Sequence, residues 1–379
     1  MRILVVHSFY SSKQPSGENA AVLDQVSALR RAGHEVMLAA EHTDDRELKA
    51  LYSLRAALTV ASGSGPSPNK IIRAFRPDVL HIHNLFPNFG RNWIRSTRVP
   101  IVHTLHNFRP LCAAAILFRE GAVCTLCPGG DRWAGFRHAC YRGSRARTLP
   151  LTLANRRGPD RDPVLRGAKR LVVLSPRARE IYKAAGVPGS KLVVIPNFSS
   201  DGHSHSASGE SFRNDEWLYV GRLVREKGID LLVERWPPDA RLVVAGDGPL
   251  RREIEESAAG KRIRFVGHRS RSETLELMRA CRGLLFPSRW YEGFPLVYAE
   301  ALSVGLPVLA FEPSSVADFV AEDGTGVVAS WRSDLGATLA DAARRFDSLR
   351  QGCEEIHLTR YSEHAVVGRL SALYRAVSA

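Results

Sequence analysis

Gly283-Leu284-Leu285-Phe286-Pro287-Ser288-Arg289-Trp290-Tyr291-Glu292-Gly293-Phe294-Pro295-Leu296-Val297-Tyr298-Ala299-Glu300 reads as a short buried strand, a loop carrying glycine, and the start of a helix expected over Val297–Val304. A strand that hands over to a helix in this way is one unit of a parallel-sheet α/β protein. Glu292 and Glu300 stand eight positions apart, a little over two helical turns. With Glu292 at the first turn and Glu300 further in, both would face a ligand lying along the N-terminal end of the helix. Free amides at a helix start can hold a phosphate. Carboxylates on either side can accept hydrogen bonds from sugar and ribose hydroxyls. A glutamate pair on a helix is by itself ordinarily solvated surface, so the reading depends on its surroundings.

Outward from this stretch the same alternation recurs. Trp217–Gly221, Arg241–Ala245, Ile263–Val266 and Pro307–Ala310 read as further strands, with helices at Pro249–Ala258 and Ser272–Ala280. The first half repeats the theme with strands at Arg2–His7, Glu35–Ala40, Val79–His83, Ile101–Leu105 and Leu171–Ser175. A helix at Asn19–Ala32 places Val22, Leu23, Val26 and Leu29 on one face. Between the halves, Ser199–Ser211 is small and polar, a linker by composition. The expectation is an α/β chain of two doubly wound, Rossmann-like domains facing across a cleft where ligands bind. The first domain spans 1–199 and carries a cysteine-rich loop at 112–140. The linker spans 200–212 and the second domain 213–360. Residues 361–379 form a C-terminal helix packing back on the first domain.

The 379 residues are 44% hydrophobic and carry a formal charge of +14. The excess is lopsided: residues 1–200 hold 30 Lys+Arg against 13 Asp+Glu, and residues 201–379 hold 23 against 26. Such asymmetry points the first half toward a polyanion, an anionic lipid surface or an acidic substrate. No apolar run reaches the roughly 18 residues of a membrane span. The start, Met1 to His7, reads as a buried strand and not as a secretory signal, so a cytoplasmic location is expected.

Gly221-Arg222-Leu223-Val224-Arg225-Glu226-Lys227-Gly228 follows directly on a strand. A guanidinium makes planar, two-pronged contact with phosphate oxygens and a nearby ammonium adds a point charge, a pairing that suits a diphosphate. Cys112, Cys124, Cys127 and Cys140 follow the spacing C-x11-C-x2-C-x12-C. That spacing suits tetrahedral structural zinc, with His138 able to replace one thiol; free thiols and disulfides are the alternatives. Downstream, Arg142 to Arg170 is strongly basic and could dock on an anionic leaflet or a lipid-pyrophosphate.

Several of these motifs together resemble one family. Gly221-Arg222 with Lys227-Gly228, Val243-Val244-Ala245-Gly246-Asp247-Gly248-Pro249-Leu250, Phe265-Val266-Gly267-His268, Pro287-Ser288 leading into Glu292-Gly293-Phe294-Pro295 and Glu300-Ala301, and Gly305-Leu306-Pro307-Val308 are similar to the successive signatures of the family-4 retaining glycosyltransferases of GT-B fold (glycosyl transferases group 1). The first half resembles the family more loosely, through Ser16-Gly17-Glu18, Pro77 to His83, Thr104-Leu105-His106-Asn107 and Val194-Ile195-Pro196-Asn197.

The resemblance implies that Arg222 and Lys227 bind the donor diphosphate and stabilise the charge growing on the leaving group. It implies that Glu300 holds the ribose hydroxyls, that Glu292 contacts the transferred sugar, and that Gly293, Phe294, Pro295 and Leu296 cradle sugar and phosphate at the helix start. His268 falls where backbone groups meet the nucleobase. Gly17 allows close approach of backbone to ligand, although many relatives carry Gly-Gly where this chain has Ser16-Gly17. His106 occupies the active-site histidine position, and His83 is read as structural or cleft-lining. The implied reaction moves a sugar from a nucleoside diphosphate, UDP ahead of GDP, to a hydroxyl of a glycan, lipid-linked or small-molecule acceptor, with anomeric configuration retained. With Arg222 and Lys227 supplying positive charge, no catalytic metal is required. Peripheral contact between the basic first half and the inner face of an anionic membrane is expected, and nucleic acid is not. The competing readings are a basic zinc-containing nucleic-acid-binding protein, which lacks any recognition-helix spacing or aromatic-basic motif, and a sugar-nucleotide-binding protein without activity.

Overall fold

A computed structural model of the chain describes residues 1–10, 17–47, 51–199 and 214–379. The expected linker at 200–212 and Ser16 lie outside the described residues. The chain divides into two units. The first comprises Met1–Arg119, Cys124–Asn197 and Val366–Ala379, and the second Glu120–Val123 and Phe198–Ala365.

In the first unit six parallel strands form one sheet: β1 (Arg2–Phe9), β2 (Glu35–His42), β3 (Val79–Asn84), β4 (Ile101–Leu105), β5 (Arg170–Val173) and β6 (Leu192–Val194), in the order β2-β1-β3-β4-β5-β6. Ile3 to Val6 are wholly buried, as a strand covered on both faces requires. Helix α1 (Gly17–Arg31) follows β1 and buries Val22, Val26 and Leu29, whereas Leu23, expected on that face, is exposed. Helices α2 (Tyr52–Ser62) and α3 (Arg145–Asn155) add a layer absent from the sequence reading.

The second unit repeats the plan with β7 (Glu216–Val220), β8 (Arg241–Ala245), β9 (Ile263–Gly267), β10 (Gly283–Phe286), β11 (Val308–Glu312) and β12 (Gly326–Ser330), ordered β9-β8-β7-β10-β11-β12 and all parallel. Its core sets Trp217 edge-on to Phe346, with ring centroids 5.5 Å apart and Trp236 buried nearby. Gly283 opens β10 where a Cβ would stand 2.3 Å from the Phe346 ring, so only glycine admits the strand there. Helix α4 (Arg271–Ala280) is fixed at its start by a capping box in which Ser270 and Glu273 satisfy each other's backbone amides. Helix α5 (Leu296–Ser303) follows β10.

Each sheet gains a strand beyond the five expected. β6 is three residues long, Leu192–Val194, shorter than any run read as a strand, with Val193 and Val194 half-buried. β12 opens on Gly326, pressed so closely on Val308 that a Cβ would meet its carbonyl oxygen at 1.8 Å. Helix α6 (Glu363–Ser378) closes the chain, and its Val366–Ala379 part belongs to the first unit. There the Tyr374 hydroxyl stands 2.6 Å from His81 Nδ1, and Ser371 Oγ is 2.9 Å from His34 Nε2.

Candidate functional site

In the second unit the cationic and acidic residues of the two motifs meet. Lys227 closes a single 3-10 turn, Arg225–Lys227, after β7, and Gly228 follows in the left-handed region at φ 69°. A Cβ on Gly228 would lie 2.0 Å from the Pro287 carbonyl oxygen, so glycine lets this turn press against the loop after β10. Across that contact Lys227 Nζ stands 2.6 Å from Glu292 Oε2, and Ser288 Oγ donates to Glu292 Oε1 at 2.5 Å. Glu292 is 6% exposed. Arg222 is exposed and makes no ion pair among the described residues; Tyr219 Oη holds its carbonyl at 2.9 Å. Gly246 and Gly248 let the next loop approach Gly221 and Leu223, where a Cβ would clash at 1.9 and 2.5 Å.

The helix geometry differs from the expectation for Glu292. Helix α5 begins at Leu296 with Pro295 as its N-cap residue, so Glu292 lies in the preceding loop and not in the first turn. Pro295 fixes the chain in an extended conformation just before the helix and has no side-chain acceptor, which leaves the amides of the first turn without a side-chain cap. Phe294 is a core residue, its ring edge-on to Phe319 at 5.2 Å, and Gly293 joins it to Glu292. Glu300 sits inside α5, nearly buried, with Arg271 Nε of α4 at 2.9 Å from Oε1. His268 is exposed, directly after Gly267 ends β9 at φ 73°.

The first unit gathers five buried or half-buried imidazoles. Burial holds His7 at about 4 and His81 and His103 at about 3, and it pushes His83 and His106 well below the ordinary imidazole value, so all five are neutral near pH 7. The Gln25 amide, oriented with its nitrogen toward two of the rings, assigns their protons. Gln25 Nε2 donates to His81 Nδ1 at 2.9 Å and to His83 Nε2 at 3.3 Å. His81 therefore carries its proton on Nε2 and donates to Thr104 Oγ1 at 2.7 Å. By the same logic His83 carries its proton on Nδ1 and donates to His106 Nε2 at 2.8 Å. His106 is left with Nδ1–H: a hydrogen-bond donor, not a base.

His106 lines a cavity of about 100 Å³ together with Asn84, Asn107 and Arg109. Behind these residues lies Glu18, in the first turn of α1. Asn107 Nδ2 donates to Glu18 Oε2 at 3.1 Å, while the buried Oε1 has no hydrogen-bond partner among the described residues. Burial raises this carboxyl to about 7 against the opposing pull of Asn84, Arg109 and Asn107. Sequence reasoning missed Glu18 as an ionisable group of interest. It stood in a quoted motif, but nothing in one sequence shows that helix α1 turns it inward. A Cβ on Gly17 would meet no atom of the described residues within 4 Å.

Two family profiles cover the two halves: Glycosyltransferase Family 4 over residues 15–199 and Glycosyl transferases group 1 over residues 205–345. The chain belongs to the group 1 glycosyltransferases. Among relatives of this family member, the alpha-D-kanosaminyltransferase of Streptomyces kanamyceticus is 24% identical over 250 residues, covering 57% of this chain and 64% of that protein. A glycogen synthase of Mycobacterium tuberculosis is 33% identical over 280 residues, covering 71% and 60%. The chain thus spans less than two thirds of either relative. Anabaena HepE, solved in complex with UDP and glucose, shares the fold with a TM-score of 0.63 at 16% identity over 99% of this chain and 100% of that one. The two six-stranded α/β units are those of the GT-B fold.

The remaining polar clusters of this group 1 family member have structural partners. Cys112, Cys124, Cys127 and Cys140 line one cavity of about 20 Å³ with His138 beside them. Burial pushes Cys127 up to about 11 and raises Cys140 as well, with the other thiols adding to the effect. Among the described residues no three His, Cys, Asp or Glu side chains converge tightly enough to hold a metal ion, so the thiols share a wall without a ready coordination shell. The chain does contain one Asp-x-Asp, Asp160-Arg161-Asp162, which the sequence reading passed over. Asp162 Oδ1 caps a helix by accepting from the amides of Val164 and Leu165 at 2.8 and 3.1 Å, and Oδ2 pairs with Arg91 at 2.7 Å. Both oxygens are committed to structure. No helix among the described residues is long and apolar enough to cross a membrane.

Proposed function

We propose that this chain is a hexosyltransferase that moves a sugar from a nucleoside diphosphate, UDP ahead of GDP, to a hydroxyl of a glycan, lipid-linked or small-molecule acceptor. The observation that carries the proposal is the convergence of Lys227, Ser288 and Glu292, with Arg222 on the same loop as Lys227 exposed and without an ion pair among the described residues. In this reading Arg222 takes two oxygens of the donor diphosphate through its planar fork, and Lys227 turns from Glu292 toward the same group. Both cations stabilise the charge that develops as the nucleotide leaves, so the chain needs no catalytic metal. Glu292 holds a hydroxyl of the transferred sugar and Glu300 the ribose hydroxyls. The uncapped start of α5, after Gly293, Phe294 and Pro295, offers the Leu296 amide to phosphate. His268 marks the backbone that reads the base, and Gly17 gives the ligand room at the start of α1.

His106, neutral and donating from Nδ1, orients a donor-sugar hydroxyl and does not abstract a proton. A front-face displacement, in which the departing phosphate takes the acceptor proton, fits that assignment and retains the anomer. The cysteine loop is read as a structural zinc site that closes when Cys112, Cys124, Cys127 and Cys140 draw inward, since neighbouring thiols become ligands only as thiolates around a cation. The charge excess of the first half supports a cytoplasmic protein that meets an anionic membrane face peripherally. A screen of donor hydrolysis over UDP- and GDP-linked hexoses tests the proposal: one nucleotide sugar should be turned over, and release of nucleotide from none of them would contradict it.

A further inference from the structure

A second, larger cavity of the first unit, about 390 Å³, lies between α2 and α3. Helix α2 contributes Ala56, Ala57 and Val60, small and apolar, and α3 faces it with Ala146, Pro150 and Leu151. Helix α2 buries no residue. Leu54 and Leu58, one turn apart, are 56% and 60% exposed, and Leu51 just before the helix is 67% exposed. Leu54 also lines the cavity, so the apolar wall continues from the interior to the outer surface.

One end of the cavity is cationic. Arg142 and Arg147 both line it, and both are exposed. Arg142 Nη2 donates to the Tyr10 hydroxyl at 2.6 Å and its guanidinium stacks 5.5 Å from the Tyr141 ring. Tyr10 and Tyr141 share a hydrogen bond of 3.0 Å, so the guanidinium rests on a rigid aromatic pair. Glu47, the one carboxylate among the lining residues, acts on Arg142 at longer range and forms no ion pair with either arginine. Val60, Phe86 and Leu151 line this cavity and the His106 cavity alike, which makes them neighbours through one shared wall.

We propose that this cavity holds the acceptor, and that the acceptor is lipid-linked: its phosphate or diphosphate rests on Arg142 and Arg147, and its alkyl chain runs along Ala56, Ala57 and Val60 and leaves past Leu54 and Leu58. The inference rests on the glycosyl-transfer reading and names its acceptor class. The charge match selects an anion for the guanidinium end, because two planar cations that form no ion pair among the described residues outnumber the single Glu47 carboxylate and can take phosphate oxygens. The apolar remainder selects a chain, since filling it with alkyl carbon removes both surfaces from water. Exposed leucines on the outer face of α2 let such a chain pass from a bilayer without crossing polar surface.

Calorimetric titration of the full chain with farnesyl diphosphate, inorganic pyrophosphate and farnesol tests the proposal, with UDP titrated in parallel. Farnesyl diphosphate should bind at least about tenfold more tightly than either fragment, because head and tail are held together. The double variant Arg142→Gln with Arg147→Gln should lose about tenfold through the head, and Ala57→Phe should lose a similar factor by filling the tail channel. UDP affinity should stay unchanged in all of them. Pyrophosphate binding as tightly as farnesyl diphosphate would make the ligand a free phosphate compound and overturn the lipid assignment. Farnesol binding as tightly would overturn the anion assignment, and so would variants without effect. Loss of farnesyl diphosphate binding alone removes only this inference, whereas wild-type protein that binds neither UDP nor any nucleotide sugar removes the transferase reading beneath it.

Discussion

Glu292 and Lys227 form a nearly buried ion pair, Oε2 to Nζ 2.6 Å, that joins the loop after β10 to the turn after β7. The pair ties together the two loops that carry the proposed donor site, while Arg222 makes no ion pair among the described residues. In the proposed reading Lys227 serves both structure and ligand, and Arg222 serves ligand alone.

That contrast separates two variants. Lys227→Ala leaves Glu292 buried with only Ser288 to satisfy it, and should lower stability by about 1–3 kcal/mol as well as abolishing turnover. Arg222→Ala removes an exposed side chain, so turnover should fall about 100-fold with the thermal midpoint unchanged. Kinetics and differential scanning calorimetry on both variants check this, and equal midpoint losses would contradict it.

The donor state of His106 depends on His83 Nδ1–H and, behind it, on Gln25. His83→Phe keeps a flat ring but frees His106 Nε2, and should reduce kcat about tenfold while leaving UDP affinity unchanged. Because His106 lies well below the ordinary imidazole value, it contributes no inflection to the rate between pH 6 and 8. Any inflection near pH 7 belongs to Glu18, raised to about 7, and should vanish in Glu18→Gln.

Acid should destabilise the first unit earlier than its carboxylates alone would. Five imidazoles are depressed on folding, His7 to about 4, His81 and His103 to about 3, and His83 and His106 in the same direction, so as pH falls below the unfolded value of about 6.5 the unfolded chain binds more protons. Their contribution is complete above pH 6.5 and is lost as pH falls toward 4. Glu18 acts in the opposite sense, its folded value being raised, so it adds stability below about 4.5 that is lost as pH rises through 7. Five groups outweigh one, and the urea midpoint should decline steadily from pH 7 to pH 5. A flat profile over that range would contradict the buried neutral assignment.

Zinc in the cysteine loop is testable on purified protein. Elemental analysis should find about one zinc per chain, and Cys124→Ser should lower both the zinc content and the thermal midpoint. Absence of zinc, with no change of midpoint on adding a chelator, would leave the thiols free.

Most of the fold was legible because fully buried parallel strands such as Ile3 to Val6 and Leu284 to Phe286 leave apolar runs that little else produces. Strands β6 and β12 were not, one being too short and half-buried, the other opening on a glycine whose role is a close approach across the sheet. Within the site, spacing singled out Glu292 and Glu300, and the place after a strand singled out Arg222 and Lys227, but their roles came from the resemblance to the family. The loop position of Glu292 did not, because Pro295 delays the helix and its effect on the start depends on backbone geometry. The relay from Gln25 through His83 to His106, and the inward turn of Glu18, arise from packing between elements far apart in the chain. No local pattern encodes them.

The most direct measurement of the central claim is the crystal structure of this chain with an unhydrolysed UDP-hexose. The account predicts that the diphosphate lies within hydrogen-bond distance of the Arg222 guanidinium and Lys227 Nζ, with the sugar hydroxyls on Glu292 and the ribose on Glu300. A diphosphate bound away from both cations, or a pocket that stays closed to the ligand at saturating concentration, would contradict it.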